Sequence, residues 1–282
     1  MILVSGAAGK TGRAVVAALA ALGAPVRALV RRAPQAEAVR AAGAQEWLTG
    51  DMLDSRTWAA ACDGVRAVYH ICPNMHPEEG AIGAAVLHAA RVAGCAHLVY
   101  HSVLHPQTQA MPHHWHKLQV EELLFESGLP YTILQPAPYM QNVLVSWPAI
   151  VAEGRYSIPY AASTLLGMVD LADVAEAAAR ILTEPGHVGA TYELGGPDIL
   201  DQNQVAVVLS QRLGRTVVTD VQSLADWERR ARAAGLGSYQ LVSLLKMFRY
   251  YERHGLWGNP RVLGWLLGRP PTTFAEFVGR VR

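Results

Sequence analysis

A short apolar run, Ile2-Leu3-Val4-Ser5, breaks directly into Gly6-Ala7-Ala8-Gly9-Lys10-Thr11-Gly12 and then into an alanine-rich apolar stretch. A strand, a glycine turn and a helix therefore follow one another in that order. The arrangement suits a nucleotide diphosphate. Glycines let the backbone approach phosphates, and the free amides and positive dipole end of the helix receive the charge. A residue as small as Gly12 also lets the helix lie close to the strand. The spacing is G-x-x-G-x-x-G rather than G-x-G-x-x-G, so the trio alone is equally compatible with an ordinary strand-turn-helix.

The rest of the first half repeats the alternation. Strands are predicted over 2–5, 25–30, 45–48, 67–71, 97–101 and 131–134, with helices over 10–22, 35–42, 55–62, 78–93 and 112–127. Continuous apolar strands separated by amphipathic helices mark a parallel sheet covered on both faces. Right-handed crossovers then give an α/β, Rossmann-type doubly wound sheet. After Pro136 the regularity weakens. Helices are predicted over 170–182 and 203–213, strands over 191–194 and 216–219, and a mainly helical, aromatic-bearing tail over 223–282. The expected division is a dinucleotide-binding domain over 1–136, to which 165–195 returns, and a smaller lobe from 137–164 and 196–282. The aromatics of the tail, among them Trp227, Phe248 and Tyr251, have two readings: core packing, or the lining of an apolar ligand pocket.

Bulk properties exclude several function classes. A net charge of +1 over 282 residues gives no nucleic-acid footprint. No apolar stretch reaches membrane-spanning length, so no membrane partner is expected. The cysteines, Cys62, Cys72 and Cys95, are odd in number and form no C-x-x-C pair, which suits a reduced, cytoplasmic setting. His113, His114, His116 and His105 match no compact zinc spacing, so no metal is expected. No G-x-S-x-G elbow is present, which argues against a hydrolase. A monomer or a homodimer is expected.

Open parallel sheets bind ligands beyond the carboxyl ends of their strands. The residues at those ends are therefore the candidates. Strand one offers Gly6, Ala8, Gly9, Lys10, Thr11 and Gly12, and strand three offers Asp51 and Met52. Strand four offers Cys72, Pro73, Asn74 and Met75. Strand five offers Ser102 and His105, and strand six offers Pro136, Pro138, Tyr139, Met140 and Asn142. The end of strand two decides the cofactor. An acidic residue there would hold two ribose hydroxyls, but the chain has Arg31-Arg32. A guanidinium pairs instead with a 2′-phosphate, which favours NADP(H). The plain alternative is a pair of solvated arginines. Asp51 either lies near the adenine edge or caps the following helix.

Lys117 shares a helical stripe with Val120 and Leu124, on the side turned towards the sheet. It either snorkels to solvent or reaches the nicotinamide ribose hydroxyls. His113, one turn earlier, either packs or passes a proton. Ser102 supplies polarity near an acceptor. Met75, His105, Pro138, Met140, Asn142 and Trp147 either pack in the ordinary way or form walls of a substrate pocket, while Pro136 and Tyr139 are assigned to the cofactor.

These residues resemble the NmrA-like family of atypical short-chain dehydrogenase/reductases. The resemblance runs through residues 6–12, Arg31, His114-Trp115-His116-Lys117 leading to Glu121 and Glu122, then 127–136, Met140-Gln141-Asn142, Val169 to Ala175, and Pro271-Thr272-Thr273-Phe274. It implies an NADP-binding Rossmann domain with a smaller carboxyl-terminal lobe. The superfamily's Tyr-x-x-x-Lys would put tyrosine at position 113, where this chain has His113; Lys117 is kept. Two functions follow from the resemblance. One is an NADPH-dependent oxidoreductase passing hydride to a quinone-like or other conjugated aromatic acceptor, which needs less proton help than a ketone. The other is a non-catalytic NADP(H)-binding redox sensor. Isomerase or lyase chemistry with a bound cofactor is a third.

Overall fold

Each apolar run of the first half becomes a parallel strand. The computed structural model describes residues 1–281. Its strands and helices alternate as β1 (Ile2–Val4), α1 (Lys10–Ala21), β2 (Val26–Val30), α2 (Ala36–Ala41), β3 (Glu46–Thr49), α3 (Ser55–Cys62), β4 (Ala67–His70), α4 (Glu79–Val92), β5 (His97–His101), α5 (Pro112–Glu126) and β6 (Tyr131–Pro136). The chain continues through α6 (Trp147–Glu153), β7 (Arg155–Ile158), α7 (Leu171–Thr183), β8 (Ala190–Leu194), α8 (Gln202–Leu213), β9 (Val218–Val221), α9 (Leu224–Ala233), α10 (Ser238–His254), α11 (Arg261–Leu267) and α12 (Phe274–Arg280).

The main sheet has the order β3-β2-β1-β4-β5-β6-β8. Its order reverses between β1 and β4, which both pair with their neighbours in parallel. Ligands of doubly wound sheets bind at that reversal. Every residue of β1 and β4 is buried, as strands covered on both faces require. At the edge, β3 is largely exposed, and Arg27 reaches across to Glu46 at 2.7 Å. One large core cluster holds Leu3, Trp58, Val68, Ile82, Leu98, Val120 and Ile133. Within it Gly83 of α4 lies so near α5 that a β-carbon there would meet Val120 at 2.8 Å.

Two compact units partition the chain. One contains Met1–Gln107, His113–Gln135 and Val174–Tyr192, and the other contains Thr108–Pro112, Pro136–Asp173 and the residues from Glu193 onward. The second unit holds a small sheet of which pattern reading finds one strand and misses the other, β7. In it β7 pairs in parallel with β9. Four residues of alternation, with Tyr156 and Ile158 buried, are too short to stand out in a sequence. The strand expected over 216–219 begins two residues later. Val217 gives its amide to the Ser210 hydroxyl at 2.8 Å, and the ladder starts only when Val218 donates to the Gly154 carbonyl. The helix expected over 35–42 spans Ala36–Ala41 and is preceded by a 3-10 turn over Ala33–Gln35, with Pro34 in the first turn, where a missing N–H costs nothing.

Motif residues of the second unit are structural. Both carboxylate oxygens of Asp173 are used: Arg269 and the Thr272 hydroxyl bind one, and the Thr272 amide donates to the other at 2.6 Å. Asp170 pairs with Arg280 and accepts from Gln141 at 2.6 Å. The tail aromatics pack on one another, with Trp227 and Phe248 edge to face at 4.8 Å and Tyr251 buried beside Tyr160.

Candidate active site

The glycine turn at the end of β1 is tightly specified. Gly6 has φ +59°, and a β-carbon on it would meet the Ile71 carbonyl oxygen at 2.7 Å. Gly9 donates its amide to the Gly6 carbonyl at 3.0 Å and precedes Lys10, the first residue of α1. No side chain caps α1, and its first turn has no acidic residue. Gly9 and Lys10 face solvent, whereas Thr11 and Gly12 are buried. This cradle fits a pyrophosphate: the first turn of α1 has no side-chain cap, and the turn before it is so close at Gly6 and Gly12 that a β-carbon would strike backbone.

At the end of β2 the guanidinium groups of Arg31 and Arg32 are exposed, but their backbone is fixed. Both amides donate to the Gln35 side-chain oxygen, at 3.0 and 2.9 Å. Gln35 escapes sequence reading, since one glutamine after a strand carries no pattern. Asp51 does not cap α3. Its carboxylate accepts from the Leu53 amide at 3.0 Å, and Asp54 is the cap, accepting from Arg56. Asp51 itself is exposed, and Met52 is half-buried with its carbonyl accepting from Trp58 at 2.7 Å.

Beyond β4, Pro73 and Asn74 are exposed, while Cys72 is buried with its thiol pushed up by desolvation. That thiol is an inert packing group. Met75 has φ +50° and, after β5, His105 has φ +54°; no other non-glycine among the described residues has positive φ. A left-handed conformation at such residues costs of order 1 kcal/mol or more and tends to collect at functional sites. Both are candidate substrate walls on the sequence reading.

Beneath these loops lies a buried polar network. Lys117 Nζ donates to Glu79 Oε1 at 2.6 Å and to the His101 carbonyl at 3.1 Å. Tyr100 OH donates to the same Glu79 oxygen at 3.1 Å. Ser102 donates its hydroxyl to Glu121, which also accepts from Gln135 Nε2 at 3.0 Å on each oxygen. Burial raises the Glu121 carboxyl above the usual range, against the pull of Ser102, Gln135 and Lys117. Tyr69 shares a hydrogen bond with His101 Nδ1, and Ser5 one with His70 Nδ1 at 2.8 Å. Sequence reading assigned no role to Glu79, Tyr100, His101 or Gln135. A signal did exist for Glu79. It shares a helical face with buried Ile82, Gly83 and Val86, so its carboxylate had to meet a partner inside.

His113 is buried and held neutral. Burial lowers it to about 3, with His114, Lys117 and His116 acting in the same direction. Its ring lies edge to face on His114 at 4.6 Å, and its Nδ1 makes no hydrogen bond among the described residues. An imidazolium acid is therefore not present at this position at neutral pH. Among the described residues no group of three or more His, Cys, Asp or Glu is placed to hold a metal ion.

The remaining candidates belong to the second unit. Pro136 closes β6, Ala137 donates to the Leu194 carbonyl at 3.1 Å, and Tyr139 bridges to Val169. Met140 is a correction: it is fully enclosed, its amide bound to the Val169 carbonyl at 2.9 Å, so it packs and presents no surface to a substrate. Asn142 is exposed, and Pro138 and Trp147 are half-buried.

The NmrA-like family model matches residues 1–276. The chain belongs to the NmrA-like family. Among its family relatives, the NAD(P)H azoreductase of Xenophilus azovorans is 32% identical, over 98% of this chain and 96% of that protein. Quinone oxidoreductase 2 of Escherichia coli (strain K12) is 30% identical over 100% of this chain and 98% of that protein. The E. coli NADPH-dependent quinone oxidoreductase complexed with NADPH superposes with a TM-score of 0.85, covering 99% of this chain and 98% of its own. Triphenylmethane reductase of Citrobacter sp. complexed with NADP(H) gives 0.84 at 25% identity, over 99% of both chains. The α/β, Rossmann-type doubly wound sheet expected from the strand pattern is the fold observed.

Proposed function

We propose that this NmrA-like protein is an NADPH-dependent reductase that passes hydride to a quinone or a dye-type conjugated aromatic acceptor. One observation carries the reading: an uncapped glycine cradle stands at the sheet's reversal, beside two exposed guanidinium groups whose backbone is pinned by Gln35. The full-length likeness to azo-, quinone and dye reductases supports the same acceptor class.

The dinucleotide, when bound, supplies the hydride. The chain's own residues do the rest. Gly6, Gly9 and the first turn of α1 receive the pyrophosphate, and Arg31 with Arg32 pairs the 2′-phosphate. Lys117 donates to the nicotinamide ribose. Met75 and His105 hold the loops that shape the acceptor's side. Neutral His113 gives no imidazolium to protonate an alkoxide, which suits an acceptor that delocalises the arriving charge. Three free, buried cysteines support a reducing, cytoplasmic compartment.

The test is NADPH oxidation, followed by nicotinamide absorbance, against a panel of quinones, azo dyes and triphenylmethane dyes. Turnover with at least one class, and a preference for NADPH over NADH, is expected. Tight NADPH binding without turnover on any acceptor overturns the reductase and leaves the sensor.

A further inference from the structure

Glu79 carries a carboxylate that is 1% exposed, deep in the first turn of α4. Such a group must be paired to stay inside. Its partners are Lys117 Nζ at 2.6 Å and the Tyr100 hydroxyl at 3.1 Å, both on the same oxygen. The ammonium in turn sits 5.3 Å over the Tyr100 ring and donates to the His101 carbonyl at 3.1 Å. A lysine ammonium has three hydrogens. Two are spent inside the fold, in directions set by α4 and β5, and the Lys117 side chain keeps 15% of its surface.

We infer that Glu79 is the positioning residue for Lys117, fixing the ammonium so that a single N–H is left for the nicotinamide ribose. The inference rests on the cofactor role proposed above for Lys117. A flexible lysine spends rotamer entropy to reach a ligand, whereas one clamped by a buried carboxylate and a carbonyl has already lost it. The clamp acts only at the nicotinamide half, so the phosphate cradle at Gly6 to Gly12 and the arginines of β2 work without it. Loosening Lys117 thus weakens the intact dinucleotide and spares its adenosine half.

The experiment compares Kd for NADPH and for 2′,5′-ADP, which carries the 2′-phosphate but no nicotinamide ribose, in the parent, Glu79→Gln, Lys117→Met and the double variant. Glu79→Gln is expected to weaken NADPH by about tenfold and to leave 2′,5′-ADP unchanged. Lys117→Met is expected to do the same, and the double variant to lose no more than Lys117→Met alone. Intact 2′,5′-ADP binding also reports a folded cradle. If Glu79→Gln loses it, Glu79→Asp, which keeps the charge and shortens the reach, takes its place and is expected to show the same split at smaller amplitude. A Lys117→Met loss without a loss in the Glu79 variants overturns the positioning role alone. Unchanged NADPH binding in Lys117→Met overturns both that role and the cofactor role of Lys117. Failure of the parent to bind NADPH or 2′,5′-ADP overturns the proposed function itself.

Discussion

A β-carbon at Gly12 would stand 2.3 Å from the carbonyl oxygen of Gly6 and 2.6 Å from the Cα of Ala7. Both obstacles are backbone, so no side-chain end can swing aside. Gly12→Ala must push the first turn of α1 away from β1. Overpacking of this kind costs about 1–3 kcal/mol or more, and the displaced amides lose the pyrophosphate. The expected result is a lower denaturation midpoint together with loss of 2′,5′-ADP and NADPH binding. Gly80, in the first turn of α4, has open space around it, so Gly80→Ala should be neutral or stabilising by about 0.5 kcal/mol.

Arg31 and Arg32 owe their placement to backbone bonds that their side chains do not share. Replacing both by alanine leaves the Gln35 contacts in place and removes only the charge. Charge-assisted hydrogen bonds of this type are worth about 1.5–3 kcal/mol, so NADPH should weaken by roughly tenfold to a hundredfold. NADH binding should stay where it was. Isothermal calorimetry with both dinucleotides decides this, and an unchanged ratio of the two affinities contradicts the 2′-phosphate assignment.

The Glu79–Lys117 pair is buried, and removing one member strands the other. Lys117→Met should cost about 3–5 kcal/mol, because the Glu79 carboxylate is left with the Tyr100 hydroxyl alone. Glu79→Gln added to Lys117→Met removes the stranded charge and should restore much of that loss. Chemical denaturation of the four proteins measures the coupling. Additive losses would mean that the two groups do not stabilise one another.

Acid should unfold the first unit through its imidazoles. Burial depresses His70, His101 and His113 to about 3 and His114 to about 4, from an ordinary value of 6.5. In this range the unfolded chain binds more protons than the folded one. The stability these neutral rings contribute is complete above pH 6.5 and is lost as pH falls from 6.5 towards 3, by about 1.4 kcal/mol per ring per pH unit. Melting temperatures should be flat above pH 7 and fall steeply below pH 6. Replacing His70 by an apolar ring of similar size, as in His70→Phe, should flatten that fall, because one titrating group is gone.

The positions of the candidate residues could be read from order and spacing. The end of each parallel strand must be a loop at the sheet's mouth, and counting strands puts Gly6, Arg31, Asn74, Ser102 and His105 there, as the structure does. What spacing could not supply was partnership between distant elements. Glu79 and Lys117 are 38 residues apart, and Asp173 and Thr272 are 99 apart. The same limit explains Met140, which follows a strand end like its neighbours but turns into the interior of its unit.

Local chemistry settled the class of fold and the class of ligand in this protein: alternating apolar runs admit few arrangements other than a doubly wound sheet, and glycines followed by paired arginines admit few ligands other than a phosphorylated dinucleotide. Only the tertiary structure decided the burial and pairing of the candidate groups. Burial made His113 a neutral ring, and the approach of α4 to β5 and α5 gave Lys117 its carboxylate. Both depend on desolvation and on distances across the chain, which no stretch of consecutive residues encodes.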